Sequence, residues 1–138
     1  MAYWLVKSEP GSWSWSDHVA AGIEPWNGVR NHQAARYMKS MALGDKVFFY
    51  HSVVGKEIVG TLEVVAESYP DPTDASGKFV CVDLKAVAPV TQAVSLADIK
   101  SNPKLQQMAL LKQSRLSVMP VTEDEWDEIL FMAKGLKP

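Results

Sequence analysis

Cysteine is almost absent from this sequence: Cys81 is the single cysteine among 138 residues. One thiol cannot form an internal disulfide, so the fold must depend on its apolar core. The three histidines do not combine with Cys81 into the spacing of a zinc site. We therefore expect a reducing compartment such as the cytoplasm, and neither a metal ion nor another cofactor.

Long apolar runs and an excess of basic residues are also missing. No run approaches the roughly 20 residues of a membrane span, and residues 1–7 lack the features of a signal peptide. We therefore expect no membrane association. The net charge is −2 at pH 7, whereas non-specific nucleic-acid binding requires a basic surplus to neutralise phosphates. Any nucleic-acid binding by this chain must therefore use a small, specific site.

The remaining composition is ordinary for a folded domain. Hydrophobic residues make up 47% of the sequence and charged residues 22%, which is typical of globular proteins. The length suits one domain over residues 1–138 with a core large enough to fold alone. Composition leaves the oligomeric state open.

The segment of residues 26–31, WNGVRN, holds the densest group of functional side chains. Its Asn-Gly pair predicts a tight turn, and Asn31 is placed to cap a helix that extends to about Met41. A loop that enters a helix directs backbone N–H groups at one point, where an anionic or hydrogen-bonding ligand can bind. Trp26 would add a stacking face. In the alternative interpretation, Trp26 packs on the core and Arg30 pairs with a surface carboxylate.

Two predicted strands end in polar side chains. Residues 3–7 are rich in aromatic and β-branched residues and predict a strand, as do the strongly apolar residues 46–51. Side chains at strand ends commonly point into a site. Those at these two ends are Lys7, Ser8, Glu9, Tyr50, His51 and Ser52. A surface turn at Ser8 and a structural role for His51 are the alternatives.

The other elements complete an α+β pattern. Further strands are predicted near residues 58–67, 79–88 and 115–119, and Thr122 begins a final helix with Trp126 on its apolar face. The capping sequence at Ser14 begins a short helix in which we expect His18 to be solvated. The fold class is α+β, with a small, partly closed β-barrel of five to six strands and short flanking helices.

Five sequence blocks, taken in order, resemble the EVE domain family of the PUA-like superfamily. They are residues 3–10, 26–31, 49–52, 69–72 and 115–118. The resemblance implies a PUA-like barrel similar to that of YTH domains. It also implies a non-enzymatic module that binds a modified base in DNA or RNA. Which base, which modification and which nucleic acid stay open.

Residues and resemblance together predict one concave aromatic pocket for a base flipped out of its stack. Trp26 and Tyr50 would stack on the base, and Ser8, Asn31 and Ser117 would hydrogen-bond its edge. The flanking phosphates would be held by Lys7, Arg30 and Arg115. The full set of expected ligand-binding residues is Lys7, Ser8, Glu9, Trp26, Asn27, Gly28, Val29, Arg30, Asn31, Tyr50, His51, Ser52, Pro70, Asp71, Arg115, Leu116 and Ser117.

Two other functions fit the same residues. Some PUA-like proteins are hydrolases of modified nucleosides, and Lys7, Glu9 and His51 could supply such chemistry. No nucleophile with a partner carboxylate stands at a telling spacing, so we expect a protein without catalytic residues. The third possibility is an interaction domain whose aromatic pocket takes a peptide.

Overall fold

The computed structural model of the protein describes residues 1–135, and its strands form one six-stranded sheet. The strands are β1 (Tyr3–Ser8), β2 (Ile23–Pro25), β3 (Lys46–His51), β4 (Glu57–Pro70), β5 (Val80–Ser95) and β6 (Val118–Val121). Their spatial order is β2-β5-β4-β3-β1-β6. The α+β class is therefore confirmed. Within the described residues the hydrogen-bonded order runs in line between two edge strands, so closure into a barrel is not confirmed.

Short helices connect and flank the strands. They are α1 (Trp15–Ala21), α2 (His32–Ser40), α3 (Leu96–Ser101), a 3-10 turn (Pro103–Leu105), α4 (Ala109–Lys112) and α5 (Glu123–Ala133). Capping boxes at Ser14 and Thr122 begin α1 and α5 as predicted. The Asn31 side chain caps α2 by accepting from the Ala34 N–H at 2.9 Å.

The parallel pair β1 and β3 positions the site. All other strand pairs in the sheet are antiparallel. Because β1 and β3 run in the same direction, their polar carboxyl ends meet at one edge. Lys7 lies opposite Tyr50 and Ser8 opposite His51. The two polar strand ends noted in the sequence are therefore neighbours.

The core lies on the central strands. Phe48 and Phe49 of β3 are fully buried, as expected of a nearly continuous apolar strand covered on both faces. The Trp126 ring stacks on Phe48 with centroids 3.8 Å apart and on Tyr3 at 4.9 Å. The apolar face predicted for the last helix is therefore confirmed.

Two strands continue past the ends predicted for them at residues 88 and 119, so those predicted ends were wrong. β5 continues through Pro89, which lies opposite Gly60 where the pairing register shifts. Pro120 belongs to β6, an edge strand. A proline lacks the N–H that a ladder needs, so it is tolerated at an irregularity or at an edge. The three-residue strand β2 was not predicted.

Candidate functional site

A cavity of about 420 Å³ opens beside the loop of residues 26–31, and we call it the pocket. It gathers three predicted segments: the end of β1, this loop and Ser117. The predicted residues that line it are Lys7, Ser8, Glu9, Trp26, Asn27, Gly28, Val29, Arg30 and Ser117. Its other lining residues are Ser12, Trp13, Glu24 and Pro25. Sequence reasoning therefore located most of the pocket and missed the part that comes from the turn before α1 and from β2.

The buried side chain of Asp71 holds the loop of residues 26–31 by contacts with Gly28 and Arg30. Its Oδ2 accepts from the Gly28 N–H at 2.8 Å and lies 3.0 Å from Nη1 of Arg30. Burial by itself raises the pKa of Asp71, but hydrogen bonds from Thr73, Gly28 and Arg30 outweigh burial and leave the pKa well below its ordinary value. Asp71 is thus ionised and holds the loop from beneath; it does not line the pocket.

Arg30 uses most of its N–H donors in hydrogen bonds within the protein. Besides the Asp71 contact, Nη2 donates to the Thr73 hydroxyl at 2.9 Å, and the guanidinium lies 5.4 Å from the Phe79 ring centroid. The side chain remains 40% exposed at the pocket rim. The alternative in which Arg30 pairs with a carboxylate is therefore the one seen, although that carboxylate is buried.

Trp26 is both a core residue and a wall of the pocket. Only 8% of its surface is exposed, and its ring packs edge-on against Phe49 with centroids 5.6 Å apart. The position of Trp26 in a polar turn concealed this burial. A second indole, that of the half-buried Trp13, also lines the pocket. The pocket therefore has Trp13 and Trp26 as its aromatic walls, where the sequence predicted Trp26 and Tyr50.

The prediction that His18 is solvated was wrong, because the side chain is fully buried. Its Nδ1 accepts from the indole N–H of Trp13 at 3.0 Å, and its Nε2 donates to the Leu84 carbonyl at 2.8 Å. Burial lowers the pKa of His18, and the bond to Leu84 and the charge of Glu24 offset only part of that effect. The imidazole is therefore neutral with its proton on Nε2.

The sequence did contain a signal for this pair. Ser14 is the N-cap of α1, so Trp13 precedes the cap and His18 is the fourth helical residue. These are the two positions of a hydrophobic staple, which pack against each other at helix starts. Here one polar atom on each ring adds a hydrogen bond to the packing.

Polar groups surround the aromatic walls. The carboxylates of Glu9 and Glu24 line the pocket as hydrogen-bond acceptors. The hydroxyl of Ser8 donates to the Trp13 carbonyl at 2.5 Å. Lys7 Nζ donates to the Ser114 carbonyl at 2.9 Å, and burial lowers the pKa of this lysine. The pocket can thus accept hydrogen bonds from a ligand and place a cation at its rim.

A second depression, of about 680 Å³, adjoins the pocket, and we call it the groove. It shares Lys7, Glu9 and Ser117 with the pocket. Its remaining lining residues are Tyr50, Ser52, Val53, Lys56, Leu96, Leu110, Ser114 and Arg115. Tyr50, Ser52 and Arg115, predicted at the pocket, therefore lie in the neighbouring groove.

The other predicted residues lie around these two cavities. Asn31 and Leu116 line a separate shallow depression together with Arg115. His51 Nε2 accepts from the backbone N–H of Trp15 at 3.0 Å, which is the structural role left open by the sequence. Burial lowers the pKa of His51. Pro70 is the exposed last residue of β4 and lines neither the pocket nor the groove.

Residues 1–135 contain no group of three or more His, Cys, Asp or Glu side chains placed to hold a metal ion. None of the helices in that range combines the length and apolar character required to cross a membrane.

The fold and the site together define a small α+β domain with a pocket lined by two tryptophans at the edge of its sheet. The family model of the EVE domain matches residues 2–132. The chain belongs to the EVE domain family, and the resemblance found in its five sequence blocks is confirmed.

Known proteins share both sequence and fold with this chain. An NMR structure of a Rhodopseudomonas palustris protein is 56% identical, with a TM-score of 0.93, and the match covers 100% of this chain and 97% of that one. Human thymocyte nuclear protein 1 is 32% identical over 94% of this chain and 72% of that protein. A crystal structure of human THYN1 in complex with 5-methylcytosine-containing DNA matches at 30% identity, with a TM-score of 0.91 and 100% coverage of both chains.

A more distant likeness concerns the fold alone. The YTH domain of Zygosaccharomyces rouxii MRB1, solved in complex with N6-methyladenosine RNA, is 16% identical with a TM-score of 0.58. The match covers 99% of this chain and 88% of that one. The expected similarity of fold to YTH domains is therefore found.

Proposed function

We propose that this protein is a non-enzymatic module that binds a modified nucleobase, flipped out of DNA or RNA, in the pocket. The observation that carries the proposal is the cavity between Trp13 and Trp26, about 420 Å³ in volume. A cavity of this size is within the range of about 300–1,000 Å³ typical of small-ligand sites. The family relationship to human THYN1, solved with 5-methylcytosine-containing DNA, supports a base as the occupant.

The polar groups of the pocket suit the edge of a base. A flipped base is read by stacking on aromatic side chains and by hydrogen bonds along its edge. The carboxylates of Glu9 and Glu24 can accept from exocyclic amino groups, which a carbonyl group cannot replace. Ser117 and the backbone of the Asn27–Val29 turn add further donors and acceptors. The choice between bases depends on how these acceptors and donors are arranged.

The remaining site residues divide by their contacts. Lys7 and Arg115, at the rim and in the groove, would meet phosphates, whereas Arg30, whose donors bind Asp71 and Thr73, would add little to phosphate binding. Tyr50 and Ser52 would contact a nucleotide next to the flipped one. Supporting roles fall to Asn31, His51, Pro70, Asp71 and Leu116, which shape the elements around the pocket.

We extend the fold assignment in the same way to a PUA-like barrel formed by one domain over residues 1–138. The pairing of β4 with β5 shifts register at several points, for example between Val64 and Ala66. Such irregularities bend strands and increase their twist, which favours a sheet that curls toward closure. A reducing compartment such as the cytoplasm suits the buried free thiol of Cys81.

A hydrolase is the less favoured function, because its candidate residues do not converge. Such chemistry would need Lys7, Glu9 and His51 at one point. Nε2 of His51 is instead engaged by the Trp15 N–H, and Nζ of Lys7 donates to the Ser114 carbonyl. General acid–base groups must reach the reacting atoms directly or through one water, and His51 does not line the pocket.

A binding screen tests the proposal. Short DNA and RNA oligonucleotides, each with one modified base, are titrated against the protein beside unmodified copies of the same sequence. We expect at least one modification to raise affinity about tenfold or more, and Glu24→Gln to reduce that preference. Glu123→Gln, an exposed change in the first turn of α5, is the matched control and should leave it intact.

Three results would contradict the proposal. The first is equal affinity for modified and plain oligonucleotides throughout the set. The second is turnover: a new product after incubation with modified nucleosides, detected by mass spectrometry, would favour the hydrolase. The third is a partner that is retained after nuclease treatment, which would favour a peptide-binding domain instead.

A further inference from the structure

The loop between β3 and β4 presents two adjacent apolar side chains to solvent. Val53 is 64% exposed and Val54 is 67% exposed. A single exposed apolar residue is common on protein surfaces, but a contiguous apolar patch beside a binding site often marks a contact surface. The position of these valines relative to the pocket therefore matters.

The backbone of this loop is strained at a valine. The Val54 N–H donates to the Ser52 carbonyl at 2.7 Å, and Val53 between them has a φ of 68°. This is a γ-turn with positive φ at its central residue, a rare and strained conformation. A β-branched residue is the least suited to it, and glycine or asparagine would adopt it with less strain. Strain of this kind concentrates at functional sites.

Both ends of the loop are fixed to the body of the protein. The Ser52 N–H donates to the Ser8 carbonyl at 2.9 Å, and the Leu96 N–H donates to the Lys56 carbonyl at 2.8 Å. The loop therefore holds its two valines outward on an anchored base. This arrangement presents an apolar tip without burying it.

The tip stands next to the pocket and among cations. Val53 lines the groove, and the groove shares Lys7, Glu9 and Ser117 with the pocket. Lys56 and Arg115 line the same groove. An apolar tip flanked by positive charge is the combination found where side chains enter between stacked base pairs while cations contact the phosphates.

We propose that Val53 and Val54 form a wedge that enters the stack of a duplex beside the extruded base. The valines contact the neighbouring bases left unstacked, while Lys56 and Arg115 contact the phosphates on either side. This inference rests on the proposed function, because the pocket must hold the extruded base. Extrusion from a duplex requires unpairing and unstacking, whereas a base in a single strand is already accessible. The wedge is therefore needed for duplexes and not for single strands.

The test compares the double variant Val53→Ser/Val54→Ser with wild type on duplex and single-stranded probes. The probes carry one 5-methylcytosine in DNA or one N6-methyladenosine in RNA, each offered in both forms. We expect the variant to lose about tenfold or more in affinity for the duplex and to change less than about twofold on the single strand. The control is Val87→Ser, a valine 58% exposed on β5, which should behave as wild type. Affinity for the single strand also shows that the variant is folded.

A second readout reports unstacking directly. With 2-aminopurine placed next to the modified base, wild type should raise the fluorescence of the duplex, and the double variant should not. Equal affinity losses on duplex and single strand, or no loss on either, would reject the wedge and leave the pocket function intact. If wild type binds no modified oligonucleotide of the full screen in either form, the proposed function fails and the wedge fails with it. Loss of self-association in the variant would instead assign the valines to contact with a second copy of the chain.

Discussion

The indole N–H of Trp13 donates to Nδ1 of His18 across 3.0 Å, and this bond joins a wall of the pocket to a buried imidazole. The other ring nitrogen of His18 donates to the Leu84 carbonyl at 2.8 Å. Both ring nitrogens are therefore satisfied only in the neutral form. A second proton on Nδ1 would face the indole donor, so protonation would separate the two rings.

The first prediction concerns pH. Because burial lowers the pKa of His18 in the folded state from its ordinary 6.5, the unfolded chain takes up this proton first as the pH falls. Stability is complete above pH 6.5 and falls between 6.5 and the lower folded-state pKa, by at most about 1.4 kcal/mol per pH unit for one proton. Urea unfolding from pH 8 to pH 5 measures the slope. His18→Gln should flatten it, and an unchanged slope would contradict this assignment. His51→Gln, at a second histidine with a lowered pKa, measures that residue's share.

The second prediction separates two tryptophans. Trp26→Ala should reduce both stability and affinity, because the ring is buried against Phe49 and also lines the pocket. Removing a buried tryptophan costs about 3–5 kcal/mol, and losing one stacked base costs about 1–3 kcal/mol of binding. Trp126→Ala, the matched control on α5, should lose similar stability while its folded fraction binds normally. Thermal melting and titration of each variant give the two numbers. Normal affinity in Trp26→Ala would remove Trp26 from the site.

The third prediction concerns the support of the pocket loop. Asp71→Asn removes the charge that holds Arg30 while keeping an acceptor for the Gly28 N–H. We expect a loss of about 1–3 kcal/mol, less than the 3–5 kcal/mol of a fully buried pair, because Arg30 is 40% exposed. Since the folded-state pKa of Asp71 is depressed, its contribution is complete above pH 3.8 and lost as the pH falls through the lower value.

Binding should weaken equally for modified and plain oligonucleotides in Asp71→Asn, because the whole loop is loosened. Lys104→Gln instead breaks an ion pair between the exposed Lys104 and the largely buried Glu128. It should cost less than about 1 kcal/mol and leave binding unchanged. A variant of Asp71 with normal stability and a selective loss for modified bases would show direct contact with the ligand.

The fourth prediction is the salt dependence of binding. Two or three phosphate contacts on a single strand give a slope of log affinity against log salt of about −1.4 to −2.1. Arg115→Ala and Lys7→Ala should each make the slope shallower by about 0.7. Arg30→Ala should lower affinity with little change in slope, because most of its donors already bind Asp71 and Thr73. A wild-type slope of about −6 or steeper would require a longer basic track.

Short sequence patterns predicted the parts of the fold that depend on residues close together in the sequence. The capping boxes at Ser14 and Thr122 and the cap at Asn31 were all found, because each is a hydrogen bond closed within one turn. The apolar run of β3 was equally clear. Proline misled the prediction at Pro89 and Pro120, where a register shift and a sheet edge remove the need for a ladder hydrogen bond.

The sequence predicted the pocket residues that belong to one continuous segment. It missed those that reach the pocket through pairing between distant parts of the chain. The loop of residues 26–31 carries its own turn and cap signals. Glu24 enters the pocket because it lies opposite Leu84 in the pairing of β2 with β5, and a three-residue strand has no periodicity to detect. The burial of Trp26 and His18 likewise arises from packing against β3, which no local pattern contains.

The hydrogen bond between Asp71 and the pocket loop also has a consequence for the order in which the protein folds. Gly28 and Asp71 are separated by 43 positions, and α2, β3 and all of β4 lie between them in the chain. The entropy of closing so long a loop must be overcome before this hydrogen bond can form. We expect the contact to form after β5 has paired with both β4 and β2, because that pairing places Asp71 beside the loop that follows β2. Weakening Asp71 should accelerate unfolding and leave the folding rate almost unchanged. A ligand that binds only the folded pocket should in turn raise the stability of the folded chain.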